Sequence, residues 1–197
     1  VITSSSISSY DGNLEEFINS KHTSGKTLEE IRLELVSKVG ENVKIRRIKS
    51  INSGDAHLGH YMHGSKIGVV VILEKENIEL AKDICMHIAA MTPAALKSDD
   101  IPKEDLEKER EIYIAQAKES GKPENIIQKM VEGKIKKYIS EVTLIDQNFV
   151  KDNDITISDL LKKHDNNILS FYRMEVGEGI EKKDENFADE VMAQIKK

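Results

Sequence analysis

Residues 41–73 read ENVKIRRIKSINSGDAHLGHYMHGSKIGVVVIL, and the reading of this stretch decides the fold. It contains two β-rich runs, 43–51 and 67–73, separated by a polar connection that includes Asn52-Ser53-Gly54-Asp55. Strong turn formers between β-branched runs predict a hairpin, here with a connection longer than a two-residue turn. The second run is apolar on both faces, the pattern of a strand covered on each side. His57, His60 and His63, with Tyr61 and Met62, are expected on the connecting loop, flanked by Gly59 and Gly64. Several unusual side chains on a loop between rigid flanks mark the place where function tends to sit.

Working outward, residues 14–20 predict a short helix with Leu14, Phe17 and Ile18 on one side. Thr27-Leu28-Glu29-Glu30 is a capping box: the hydroxyl accepts from the third helical amide while Glu30 reaches back. Leu28, Ile31, Leu35, Val36 and Val39 then form one apolar face, and Gly40 supplies the stop. Gly25-Lys26-Thr27 is no phosphate loop, because the required earlier glycine is Ser20 and no strand leads in. Leu80, Ile84, Ile88 and Met91 recur at helical spacing up to Pro93, with Cys85 and His87 read as packing residues of that helix.

Residues 105–138 are strongly charged and helical on both sides of Ser120-Gly121-Lys122-Pro123. Leu106, Tyr113 and Ala117 before the break, and Ile127, Met130 and Tyr138 after it, predict two antiparallel helices zipped along a thin stripe. Such a hairpin is expected to protrude. Residues 142–150 return to β character, followed by a polar turn and a second capping box at Thr156-Ile157-Ser158-Asp159 that opens a short helix. Residues 168–176 alternate as a third strand, and 180–197 predict an amphipathic helix with Phe187, Val191 and Ile195 on one side. The expected fold is α+β: an antiparallel sheet covered by helices, with an inserted, coiled-coil-like hairpin and a C-terminal helix. The expected division is 1–40, then a core of 41–100 with 140–178, the hairpin 101–139, and a terminal module 179–197.

At 197 residues the chain is long enough for one large domain or two small ones. Aromatics make up 5% and there is no Trp, so the core must be mainly aliphatic. The net charge of -6 gives no overall basic field for nucleic acid, although Lys134, Lys136 and Lys137 cluster locally. A single cysteine, Cys85, excludes an intrachain disulfide and suits a reducing compartment. With no apolar run of membrane-spanning length and a Ser-rich start unlike a signal peptide, a cytoplasmic location is expected.

The chemistry is sparse. Three histidines at three-residue spacing invite a metal, but zinc needs further ligands and orienting carboxylates, and only Asp55 is near. No metal and no cofactor are expected. Cys85 has no base beside it in sequence, and Gly177-Glu178-Gly179 lacks a third glycine and carries carboxylates that repel phosphate. Nothing points to bond-making catalysis, so the chain is expected to act by binding.

ENVKIRRI, Tyr61-Met62-His63-Gly64 and IGVVV resemble the core of the elongation factor Ts family. MHIAAMTP at 86–93, QKMVEGKIKKY at 128–138, DQNFV at 146–150 and FYRMEVGEGIEKK at 171–183 resemble it in the same order. The likeness runs from Gly25 to the C-terminus. It implies a nucleotide-exchange factor that binds elongation factor Tu and promotes GDP release. It implies that Tyr61, Met62, His63 and Gly64 meet the partner's G domain, with His63 pressing near its phosphate-binding loop. By the same resemblance Phe149 and Val150 meet the partner's third domain, and the helix carrying Ile180, Phe187 and Val191 packs on the G domain. Self-association through the helical hairpin is a further candidate contact. The family's N-terminal helical domain and its Thr-Asp-Phe-Val motif are not found here, so the chain reads as a fragment. Asn148 replaces the proline of Gln-Pro-Phe-Val, and Lys151 stands where an apolar residue can occur. The rival reading, from another class, is a scaffold or RNA-associated protein that uses the Lys-rich hairpin.

Overall fold

The computed structural model describes residues 13–21, 24–119 and 121–180. The chain divides into two compact units between Gly54 and Asp55. In the first unit, α1 (Leu14–Asn19) starts at Asn13, whose carboxamide oxygen accepts from the amides of Glu15 and Glu16. Helix α2 (Leu28–Val39) begins with both halves of the Thr27–Glu30 capping box and ends at Gly40, which takes a φ of 76° and donates to Val36. Only glycine adopts that left-handed stop without strain. Phe17 and Leu28 are buried, but the expected apolar face of α2 is only partly covered. Leu35 and Val39 are 45% and 53% exposed.

The second unit corrects the opening expectation. Residues 43–51, which belong to the first unit, form neither strand nor helix, and the strand is instead β1 (His57–His63), the stretch expected as the histidine loop. It pairs antiparallel with β2 (Ile67–Leu73) through a three-residue turn whose Gly64 has a φ of 57°. Propensity alone does not make a strand; a register partner does, and Tyr61 opposite Val69 is a favourable aromatic–β-branched pair. The Asn52 turn survives at the unit boundary, with Gly54 donating to the Asn52 side chain.

The sheet is α+β in context and antiparallel throughout, in the order β1-β2-β5, with β5 (Ile168–Glu175) the predicted third strand. Helix α3 (Ile78–Met91) lies on one face over Val69, Val71 and Leu73. Its Ala81 sits so close to β1 that a methyl at Gly59 would lie 2.4 Å from the Ala81 Cβ. Thr92 closes the helix in the left-handed region before Pro93, since the residue before proline is pushed out of the helical region.

The 142–150 segment also departs from expectation. Helix α5 (Glu124–Val142) runs on to Val142, a single 3-10 turn occupies Leu144–Asp146, and only β3 (Asn148–Phe149) is strand. The supposed polar turn after it is β4 (Asp152–Thr156). Thr156 and Asp159 form the second capping box, which opens α6 (Ile157–Lys163). Leu144, Ile157, Leu160 and Leu161 complete the core under α3. Asn166 brackets Lys75, accepting from its amide and donating to its carbonyl, and so fixes where β5 enters.

Helices α4 (Lys103–Lys118) and α5 pack around Ala117, Ile127, Val131 and Ile135. The stripe on α5 is therefore 127/131/135 rather than the expected 127/130/138; Met130 and Tyr138 are half-buried at its edge. Residues leading into and out of this pair are joined by backbone bonds: Ala94 and Ala95 donate to Val142, and Leu144 and Ile145 donate to Ala95 and Leu96. The expected C-terminal helix, with Phe187 and Val191, lies outside the described residues.

Candidate docking groove

Alternation along β1 separates the histidines. Tyr61 and His63 share the face that α3 covers, because Gly59 on that face meets Ala81, whereas His60 and Met62 face the other way. The three imidazoles therefore do not converge. Among the described residues no cluster of three or more His, Cys, Asp or Glu could hold a metal ion. Gly64 forms the turn beyond His63. Met62, 49% exposed, folds its sulfur over Gly68, 3.1 Å from where a Cβ would be.

At the open end of α3 the shared face becomes a groove of about 420 Å³, lined by Tyr61, His63, Ile67, Met86, Ala89, Ala90, Val150 and Lys151. Met86, Ala89 and Ala90 fall at i, i+3 and i+4 on the helix, so two methyls and a flexible thioether leave a shallow floor. The Tyr61 hydroxyl lies 3.1 Å from His63 Nδ1 and tethers the imidazole at the rim. Val150, 41% exposed, forms the opposite wall. Its neighbour Phe149 is 5% exposed, with its ring 6.2 Å from that of His87, so Phe149 anchors the segment within the core. Ile180 follows the turn at 176–179, is 57% exposed, and does not line the groove.

The polar support of the groove was not legible in the sequence. His87 is fully buried, and burial holds its pKa below the ordinary value of 6.5 against a smaller upward pull from Gln147. The Val150 amide donates to His87 Nδ1 at 3.2 Å, so the ring proton resides on Nε2, which donates to Gln147 Oε1 at 3.0 Å. Gln147 in turn donates to the Glu141 carbonyl at 2.7 Å. One turn earlier on α3, Asp83 pairs with Lys151 at 2.7 Å. The motifs MHIAAMTP and DQNFV contain His87, Gln147 and Val150, but they are some sixty positions apart and only the fold joins them. Cys85 lies beside them without a base, and burial pushes its thiol up to about 12, so it is no nucleophile.

On the α4–α5 pair, Lys134 donates to Gln116 at 2.8 Å and lies over the Tyr113 ring, 5.1 Å from its centroid. Lys137 faces Glu141 at 3.6 Å. Part of the lysine cluster thus serves the helix pair itself. No helix among the described residues is long and apolar enough to cross a membrane.

The groove thus combines an apolar floor with one imidazole and one lysine, His63 and Lys151, in its lining. The family model for elongation factor Ts matches residues 2–178, and the chain belongs to that family. It is 50% identical over 190 residues to the elongation factor Ts of Legionella pneumophila strain Lens, covering 96% of this chain and 65% of the relative. To that of Thioalkalivibrio sulfidiphilus it is 56% identical over 173 residues, covering 87% of this chain and 59% of the relative. The chain therefore spans less than two thirds of the length of these relatives.

Proposed function

We propose that this chain is a guanine nucleotide exchange factor for elongation factor Tu, promoting GDP release during translation elongation in the cytoplasm. The observation that supports it most is convergence: the Tyr61–His63 end of β1 and Val150, far apart in sequence, form two walls of one groove. Such a factor breaks and makes no covalent bond. It binds the nucleotide-free partner more tightly than the nucleotide-bound one, and nucleotide must then bind the complex more weakly by the same factor. In this reading Tyr61, Met62, His63 and Gly64 approach the partner's G domain, and His63 supplies the wedge. Phe149 and Val150 meet the partner's third domain, and Ile180, Phe187 and Val191 belong to a further contact with its G domain. In the same reading 41–100 with 140–178 is the docking core and 101–139 a helical hairpin insertion, whose surface is also proposed for self-association.

Stopped-flow release of labelled GDP from elongation factor Tu tests the reading. His63→Ala should slow stimulated release about tenfold, equivalent to about 1.4 kcal/mol, while weakening binding less. A wedge acts on the difference between two states, so equal release rates for mutant and parent at saturating chain would refute the role.

A further inference from the structure

We infer that His87, which presents no surface to solvent, is the positioning residue that fixes the Val150 wall of the groove, and that affinity for the partner depends on its Nδ1 acceptor specifically. The inference rests on the docking role proposed above. The Val150 amide can only donate, so Nδ1 must be an unprotonated acceptor and Nε2 must carry the proton. The ring thus reads as a two-ended brace: Nδ1 sets the backbone that projects Val150, while Nε2 holds Gln147 and, through it, the end of α5. Phe149, between the two braced positions, is buried against the same ring, and Lys151, just beyond, is tied to Asp83 on the same face of α3. Residues 147–151 are therefore held to α3 at four positions, Gln147, Phe149, Val150 and Lys151. The floor residues Met86, Ala89 and Ala90 belong to that same helix, so floor and wall share one frame.

The two ends can be tested separately. The amide oxygen of Asn superposes on Nδ1, and the terminal amide of Gln reaches the Nε2 position. H87N should keep the acceptor for Val150 and lose Gln147, and H87Q should do the reverse. H87N removes more buried volume, so it should melt lower than H87Q. A purely structural role therefore predicts that H87N binds elongation factor Tu worse. The brace predicts the opposite order: H87Q weakened about five- to tenfold, as for loss of one buried hydrogen bond, and H87N near the parent. On the free chain, amide hydrogen exchange at Val150 should accelerate by a similar factor in H87Q and stay slow in H87N. Nitrogen chemical shifts of the parent ring should show an unprotonated Nδ1 and a protonated Nε2. Affinity that tracks melting temperature, or Val150 exchange equal in all three chains, overturns the inference. If the parent chain fails to bind elongation factor Tu, the functional proposal falls, and the Val150 exchange and ring shifts on the free chain decide the brace by themselves.

Discussion

Adding one methyl group to the sheet at Gly59 should loosen the whole docking unit. Gly59 is buried beneath α3, and a Cβ there would stand 2.4 Å from the Ala81 Cβ and 3.4 Å from both the Ala81 Cα and the Val71 Cγ1. Carbon atoms rest comfortably at about 3.5–4.0 Å, so the helix must retreat by roughly 1 Å. The nearest obstruction is a short side chain fixed to a helix backbone, which has no rotamer that could move it aside. Overpacking of this kind costs about 1–3 kcal/mol. Alanine in place of glycine regains about 0.5–1 kcal/mol of chain entropy. The midpoints of these ranges leave Gly59→Ala destabilised by about 1 kcal/mol, which lowers the melting temperature by roughly 2–4 °C for a chain of this size. Ala81→Gly alone should also cost about 1 kcal/mol, through helix propensity. Combined, the methyl merely changes owner across the interface, so the double variant should be more stable than the two single effects predict by about 1–2 kcal/mol. Circular dichroism melts and urea titrations of the four chains measure the cycle. A Gly59→Ala chain as stable as the parent, or strictly additive effects, would refute the close approach of α3 to β1.

Cys85, with its thiol pushed up to about 12 by burial, should resist thiol reagents at pH 8 in the folded chain and react at once in denaturant. Fast labelling of native protein would contradict its placement. The depressed pKa of His87 sets a pH dependence. The unfolded chain takes up the proton near 6.5 and the folded chain only below that, so His87 costs nothing above about pH 6.5. As pH falls below this value the fold should lose up to about 1.4 kcal/mol per pH unit until the buried ring itself protonates. Urea midpoints between pH 7 and pH 5 should fall more steeply for the parent than for H87N, and parallel slopes would refute the buried neutral ring.

What was legible in the sequence was local. Both capping boxes and the Gly40 stop depend on residues within four positions of one another, and all three form as expected. The apolar period of α3 and the alternation of β5 were equally clear, because one element's pattern carries its own answer. The errors fall where a distant partner decides. Residues 43–51 have the better β composition, yet among the described residues they find no strand to pair with. HLGHYMH, poor in β-branched residues, becomes β1 because Gly64 turns it onto β2 in register. On α5, a two-helix seam can be drawn through Met130 and Tyr138 or through Val131 and Ile135 with nearly equal apolar content, and the facing surface of α4 selects the latter. At the groove, resemblance points to Tyr61, His63 and Val150, but nothing in the sequence shows that they share one cavity. The role of His87 was invisible for the same reason, since both its partners lie beyond position 140.

The backbone bonds that join residues 94–96 to 142–145 bear on the order in which the chain folds. Strand β5 must find β2 across everything from Glu74 to Asn167, a long loop whose closure is slow and entropically costly. Helices α4 and α5 are neighbours in sequence and can zip together within microseconds, before any such search succeeds. Once they do, the stitched base short-circuits the loop and leaves about half its length to be closed, worth about 0.6 kcal/mol at the barrier. The helix pair would then serve as a kinetic shortcut, raising the refolding rate of the sheet while leaving its unfolding rate almost untouched.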